Sequence, residues 1–341
     1  MKKNVLVTGG SGYVGGNLIN LLCALPYGVK AILRENSSTE LFDKDKVKIY
    51  RGNFYDENLL QSALKNVDVV IHCAGLVDPT NSKKEEMMQI NYQATKTLLN
   101  QCIKSGVSKF IYISSANVLT ICQDNFKDGK FLPCSKFNLN NAQDYYTKSK
   151  AMATEYVLHC ANKKYIDALA ICPTSIIGPN FSRPTATHQM IEMYLNNSLR
   201  VTLDGGYNFV DIRTVIHAIA SAIEKGKSGE VYIIGEEYVP LSKMFEKLSS
   251  LSNIKQPKFK VPTFLALFGL KLYELFNKNN LNPLLSTSGL KTVLKKADFD
   301  TSNSEQDFSI KHISVDKSLK DTIDFIKSTK KEGYATLKEK F

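Results

Sequence analysis

The chain of 341 residues is 43% hydrophobic and 23% charged, with a formal net charge of +11, a globular composition sufficient for one large or two modest domains. Seven cysteines without a Cys-x-x-Cys pair give no sign of a zinc site or a disulfide framework, and they read as reduced thiols in a cytoplasmic protein. The lysines are spread along the chain rather than clustered with aromatics, which argues against a nucleic-acid partner, and no apolar run reaches the ~20 residues needed to span a bilayer.

Met1-Lys2-Lys3 leads into an apolar run that Gly9 interrupts too early for a signal-peptide core, so Val5 to Thr8 is expected to be a first strand. It passes directly into Thr8-Gly9-Gly10-Ser11-Gly12-Tyr13-Val14-Gly15, which opens a helix carrying Leu18, Ile19, Leu21, Leu22 and Leu25. Glycines in a strand-to-helix turn let the backbone approach a pyrophosphate, whose charge the helix N-terminus favours. Gly9, Gly12 and Gly15, with the intervening Tyr13 and Val14, are therefore expected to hold a dinucleotide.

A second strand, Val29 to Leu33, ends at Arg34, where NAD-binding folds place an acid on the ribose about 20 residues beyond the glycines. An arginine there can pair with a 2′-phosphate, so NADP is favoured over NAD, with Glu35 next door as the counter-argument. A third strand, Val47 to Arg51, runs into Gly52-Asn53-Phe54, and a fourth, Val69 to Cys73, runs into Ala74-Gly75. Met87, Ile90, Ala94, Leu98 and Cys102 recur at helical steps before Gly106, a helix with a glycine stop. A fifth strand, Lys109 to Ser114, ends in Ser114-Ser115, hydroxyls able to hold a substrate carbonyl.

Tyr146 and Lys150 follow at i and i+4, on one face of a helix, where a cation lowers the phenol pKa by favouring the phenolate. A sixth strand, Ala168 to Cys172, precedes Pro173, and a helix from Thr214 to Glu224 leads to a last buried strand, Val231 to Ile234. Alternation of this kind specifies an α/β fold, a Rossmann-like doubly wound parallel sheet. Residues 1–174 and 208–235 are assigned to the dinucleotide-binding domain, and 175–207 and 236–341 to a smaller substrate-binding lobe.

The glycine turn, the Ser-Ser-Ala strand end, Tyr-x-x-x-Lys and Ile171-Cys172-Pro173-Thr174-Ser175-Ile176-Ile177-Gly178-Pro179 together resemble the extended branch of the short-chain dehydrogenase/reductase superfamily, over nearly the whole chain. The resemblance implies that Ser115 orients substrate, Tyr146 donates or accepts the proton, and Lys150 binds the nicotinamide ribose while lowering the tyrosine pKa. It also implies that Gly9, Gly12 and Gly15 take the pyrophosphate, Ala74 and Gly75 pass the adenosine ribose, and Pro173 flanks the nicotinamide. Family members usually carry Gly-Asp after the third strand; Gly52-Asn53 here keeps an acceptor without the charge, leaving adenine contacts to Asn53 and Phe54.

Phe209-Val210-Asp211-Ile212-Arg213-Thr214-Val215 is similar to a stretch in relatives of dihydroflavonol reductase and 3β-hydroxysteroid dehydrogenase. Asn208 stands where nucleotide-sugar epimerases carry a phosphate-gripping arginine. The expected activity is thus NAD(P)-dependent interconversion of a carbonyl and a secondary alcohol on a fairly apolar small molecule, without a metal. Two alternatives stand beside it: an epimerase or dehydratase that retains its cofactor, and an NADP-binding regulatory protein without turnover. The apolar run from Phe264 to Phe276 is expected to pack in the core, line an apolar pocket or touch a membrane surface peripherally. A homodimer is compatible with the fold. The five histidines are dispersed and receive no catalytic role; His188 is expected at the surface, with a position facing substrate as the alternative. Lys327, Lys330, Lys331, Lys338 and Lys340 read as a charged final helix or a frayed tail.

Overall fold

Seven short strands assemble into one parallel sheet, the central ones near-continuously apolar because helices cover both faces, the edge segment Lys48–Arg51 mixed and without a buried residue. The computed structural model describes residues 2–277 and 286–331. The strands are β1 (Asn4–Thr8), β2 (Gly28–Leu33), β3 (Lys48–Arg51), β4 (Val69–His72), β5 (Lys109–Ile113), β6 (Asp167–Pro173) and β7 (Val231–Ile234). Their spatial order is β7-β6-β5-β4-β1-β2-β3. The chain therefore winds outward in both directions from β1 and β4, which pair in register from Val5 opposite Val69 to Thr8 opposite His72. Ligands bind in the crevice that such a reversal opens beyond the carboxyl ends of the strands.

Alternate strand residues feed two cores. Leu6, Val70, Phe110 and Tyr112 pack with Leu98, Cys102, Ala153 and Val157, the last four supplied by helices α2 (Ala94–Lys104) and α3 (Tyr145–Asn162). On the other face, Val5, Val7, Ile71 and Ile111 pack with Leu18, Leu22, Ile219 and Ile223 from helices α1 (Tyr13–Cys23) and α4 (Ile212–Lys225). A third cluster, including Ile177, Phe181, Phe209, Met244 and Leu319, builds the lobe. There Ser175–Ile177, Gly206–Asp211 and Glu237–Pro240 form a small sheet. The strand Gly206–Asp211 runs through the residue-208 boundary and ends where the Asp211 carboxylate accepts from Arg213 N at 2.8 Å, capping the helix that returns to the large sheet.

Four expectations are altered. The helix before Gly106 is broken: a turn Lys84–Met87 and a π-helical turn Met88–Gln93 precede α2. Cys122 and Cys134 are paired in a disulfide rather than reduced, in a loop that an antiparallel bridge between Cys122 and Phe137 folds back on itself. His188 is fully buried rather than at the surface, its ring stacked on Phe181 at 4.0 Å. No residue of the helix Thr263–Phe276 is buried, so its apolar run is not core, and none lines the cavity described below. The basic stretch includes a helix, Val315–Lys331, while Lys338 and Lys340 lie outside the described residues.

Candidate active site

The glycine turn closes on itself through Gly12 N donating to Gly9 O at 2.9 Å. Gly9 has φ +72°, and a Cβ there would stand 2.6 Å from the backbone nitrogen of Ala74, so the turn lies flat against the loop leaving β4. At Gly15 a Cβ would come 2.3 Å from Gly9 O. Helix Tyr13–Cys23 starts at Gly12 without a side-chain cap, leaving backbone donors and the positive end of the dipole facing the crevice. This cradle of backbone fits a dinucleotide pyrophosphate.

Beside it, Thr8 Oγ1 and Thr95 Oγ1 engage both nitrogens of the buried His72, at 2.7 and 2.9 Å. Burial and the Lys150 charge pull the His72 pKa down to about 3, so the ring is neutral. Asn91, in the π-helical turn, accepts from Leu76 N at 2.7 Å and donates to Leu76 O at 2.9 Å and Ser149 Oγ at 3.0 Å. One amide thus ties the loop after β4 to α3. Such turns recur at functional sites.

Asp144 starts α3 by accepting from Thr147 N at 2.6 Å, which fixes the first turn that carries Tyr146. Burial pushes the phenol's pKa up to about 12, against a downward pull from the nearby Ser115 hydroxyl. Lys150 Nζ donates to Ile113 O at 2.6 Å and sits 4.6 Å from the centre of the Tyr112 ring. Burial brings its pKa down to about 8. Here the geometry departs from the expected lowering of the phenol pKa: desolvation dominates at Tyr146, and the ammonium spends its hydrogen bond on the β5 carbonyl. At neutral pH the pair is a neutral phenol and a cation, a state that can deliver a proton.

Both groups open into a cavity of about 450 Å³ that Gly9, Gly12, Tyr13, Val14, Gly15, Gly75, Ser115 and Pro173 also line, a size suited to small-molecule ligands. Arg34, Asn53, Phe54 and Ala74 lie outside this lining. Arg34 is exposed at the end of β2, on a loop that Arg51 braces by donating to the carbonyls of Arg34, Glu35 and Ser37 at 3.1, 2.7 and 3.2 Å. Phe54 packs its ring edge-on to His72 at 5.8 Å.

The lobe supplies wall residues that sequence patterns did not single out, among them Tyr207, Thr292, Lys295 and Phe299. Lys295 donates to Thr120 Oγ1 at 2.8 Å, and Asn208 Nδ2 to Asp298 Oδ1 at 2.6 Å. Tyr13 Oη, Thr174 Oγ1 and Asn208 Oδ1 are buried without a hydrogen-bond partner, and all three residues face this one cavity. Unpaired buried polar atoms are costly.

The pattern of the NAD dependent epimerase/dehydratase family matches residues 5–235, and the chain belongs to that family, in the extended short-chain dehydrogenase/reductase branch of NAD(P)-dependent enzymes. It is 25% identical over 322 residues to "Putative dihydroflavonol 4-reductase" of Synechocystis, covering 93% of this chain and 92% of that protein. It is 29% identical over 272 residues to the human sterol-4-alpha-carboxylate 3-dehydrogenase, decarboxylating, covering 76% and 69%. The structure of a Bacillus cereus UDP-glucuronic acid 4-epimerase in complex with UDP-glucuronic acid and NAD superposes with a TM-score of 0.74 at 20% identity, over 96% of this chain and 99% of that one. The last likeness is one of fold.

Proposed function

We propose that this family member is an oxidoreductase that interconverts a carbonyl and a secondary alcohol on a fairly apolar small molecule, with NADP preferred. The observation that carries the reading is that Ser115, Tyr146 and Lys150 line one cavity together with the glycine turn. When bound, the dinucleotide supplies or accepts hydride. Gly9, Gly12 and Gly15 would hold its pyrophosphate, and Lys150 its ribose.

Ser115 orients the substrate oxygen, and Tyr146 exchanges the proton with it. A phenol whose pKa is pushed up to about 12 is protonated throughout the physiological range, which suits donation to a carbonyl oxygen.

Two observations support an apolar substrate over a nucleotide sugar. Among the described residues lining the cavity there is no arginine, and Asn208 is engaged with Asp298. Walls of Val77, Pro79, Ile176 and Phe299 offer apolar contact. The dihydroflavonol and sterol relatives are named for ring-system substrates rather than nucleotide sugars.

The test is Tyr146→Phe, with cofactor affinity and turnover measured separately. Turnover of the wild-type chain's best alcohol should fall by about 10²- to 10⁴-fold, the range for a lost general acid, while NADP affinity stays within about twofold. Unchanged turnover would remove Tyr146 from the reaction. Cofactor that co-purifies and is never exchanged, with no net oxidation of added NADPH, would instead favour the epimerase or dehydratase reading.

A further inference from the structure

The helix Thr263–Phe276 has two apolar faces and only one of them is used. At about 100° per residue, Phe264, Leu265, Phe268, Leu272, Leu275 and Phe276 fall within one sector about 120° wide, and they are 41% to 80% exposed. Ala266, Leu267, Leu270 and Tyr273 fall on the other side and are partly buried, where the helix packs on Thr287–Leu294. A contiguous exposed patch of this kind marks an interaction site rather than a scatter of surface apolar residues.

Charge indicates what covers it. Lys271 borders the exposed sector, and Lys255, Lys258 and Lys260 stand exposed on the segment entering the helix, around an exposed Phe259. Lys260 is 3.6 Å from Asp204; Lys255, Lys258 and Lys271 are in no ion pair among the described residues. The helix's one acid, Glu274, falls on the opposite side and accepts from Thr287 N at 2.6 Å and Thr287 Oγ1 at 2.9 Å. A second copy of the chain would bring like charges together. An anionic surface with an apolar interior would not.

We propose that this face docks the protein on an anionic phospholipid bilayer, with the helix lying in the plane of the headgroups. Fourteen residues extend for only ~21 Å, short of a bilayer's ~30 Å hydrocarbon core, and no helix among the described residues is long and apolar enough to cross a membrane. Aromatic and leucine side chains over a lysine-flanked sector match an interfacial helix. The partner helix Thr287–Leu294 carries Ser288, Gly289 and Thr292 into the cavity wall. Docking would therefore set the cavity one helix away from the bilayer, a route by which an apolar substrate could arrive; that last step rests on the function proposed above, and the docking does not.

The experiment is co-sedimentation of the full chain with phosphatidylcholine vesicles, with and without phosphatidylglycerol. Wild type should bind the anionic vesicles and release them at high salt. Two variants test the face separately: Phe264→Ser/Phe268→Ser/Leu272→Ser removes its apolar part, and Lys255→Glu/Lys258→Glu/Lys271→Glu its charge. Each should weaken anionic-vesicle binding by about tenfold or more while turnover of a water-soluble alcohol is retained. The proposal falls if wild type does not sediment, or if both variants sediment as wild type does. It also falls if lipid-free protein forms a dimer that Phe268→Glu abolishes, since the face would then belong to a second copy. Vesicle binding by a chain that turns over no alcohol would leave the docking standing and remove the proposed function.

Discussion

Two helices of equal length, Ile212–Lys225 and Thr263–Phe276, show how differently this fold uses apolar sequence. The first buries Ile212, Val215, Ile216, Ala218, Ile219, Ala222 and Ile223 against the large sheet, and its polar residues Arg213, His217 and Lys225 fall on the other side. The second is the more uniformly apolar of the two and buries nothing fully. Apolar content alone therefore does not locate a helix in the core. What locates it is whether a complementary surface exists, and the sheet offers one while the lobe covers only half of the second helix.

The largest effect should come from placing a charge on each helix. Ile219→Asp would bury an unpaired carboxylate in the sheet-facing core, at a cost of several kcal/mol, so thermal unfolding should show a collapsed midpoint or no folded protein. Phe268→Asp should change stability by no more than about 0.5 kcal/mol, as exposed substitutions do. Equal damage from both would break the contrast and mean that the second helix is covered.

The same contrast explains what could be read in the sequence. Apart from the edge segment Lys48–Arg51, each strand of the large sheet is a local apolar run with turn residues at its ends, and every one was expected within a residue or two of where it lies. The glycine turn and the Tyr146 and Lys150 pair were legible because each is a contiguous pattern set by one turn or one helix face. Thr120, Tyr207 and Lys295 were not: they reach the cavity from three separate segments, and nothing local marks them. For Thr263–Phe276, periodicity gave an apolar helix, but with apolar residues in both sectors it could not tell the covered side from the exposed one. His188 was misplaced for a related reason, since its partners Phe181 and Gly178 O are contributed by the lobe's folding around it.

A smaller effect should separate two exposed features. The sector on Thr263–Phe276 needs an external surface, whereas exposed Arg34 sits on a loop whose backbone Arg51 braces, at the strand end where the proposed NADP preference calls for a cation. Arg34→Asp should lower kcat/KM for NADPH relative to NADH by about tenfold to a hundredfold, the worth of one or two charge-assisted hydrogen bonds. An unaltered ratio would return the preference to plain NAD.

The smallest effect asks whether the sheet and the lobe melt as one unit, using a buried neutral histidine in each. Burial and the Lys150 charge bring the pKa of His72 down to about 3, and burial that of His188 to about 4, against about 6.5 for a histidine in an unfolded chain. As pH falls below about 6.5 the unfolded chain takes up protons that the folded chain refuses, so stability drops; for His72 the loss runs down to about 3, and for His188 to about 4. Between pH 7 and 5 carboxylates contribute little, so the unfolding midpoint should decline over that interval chiefly through these two rings. His72→Gln loses the bonds to Thr8 and Thr95 and will start lower, which makes the slope with pH the quantity to read rather than the midpoint. If sheet and lobe unfold together, His72→Gln and His188→Gln should each flatten the slope of one shared transition. A slope flattened in only one of two resolved transitions would mean that the lobe opens by itself, and that the cavity wall it supplies can part from the glycine turn without unfolding the sheet.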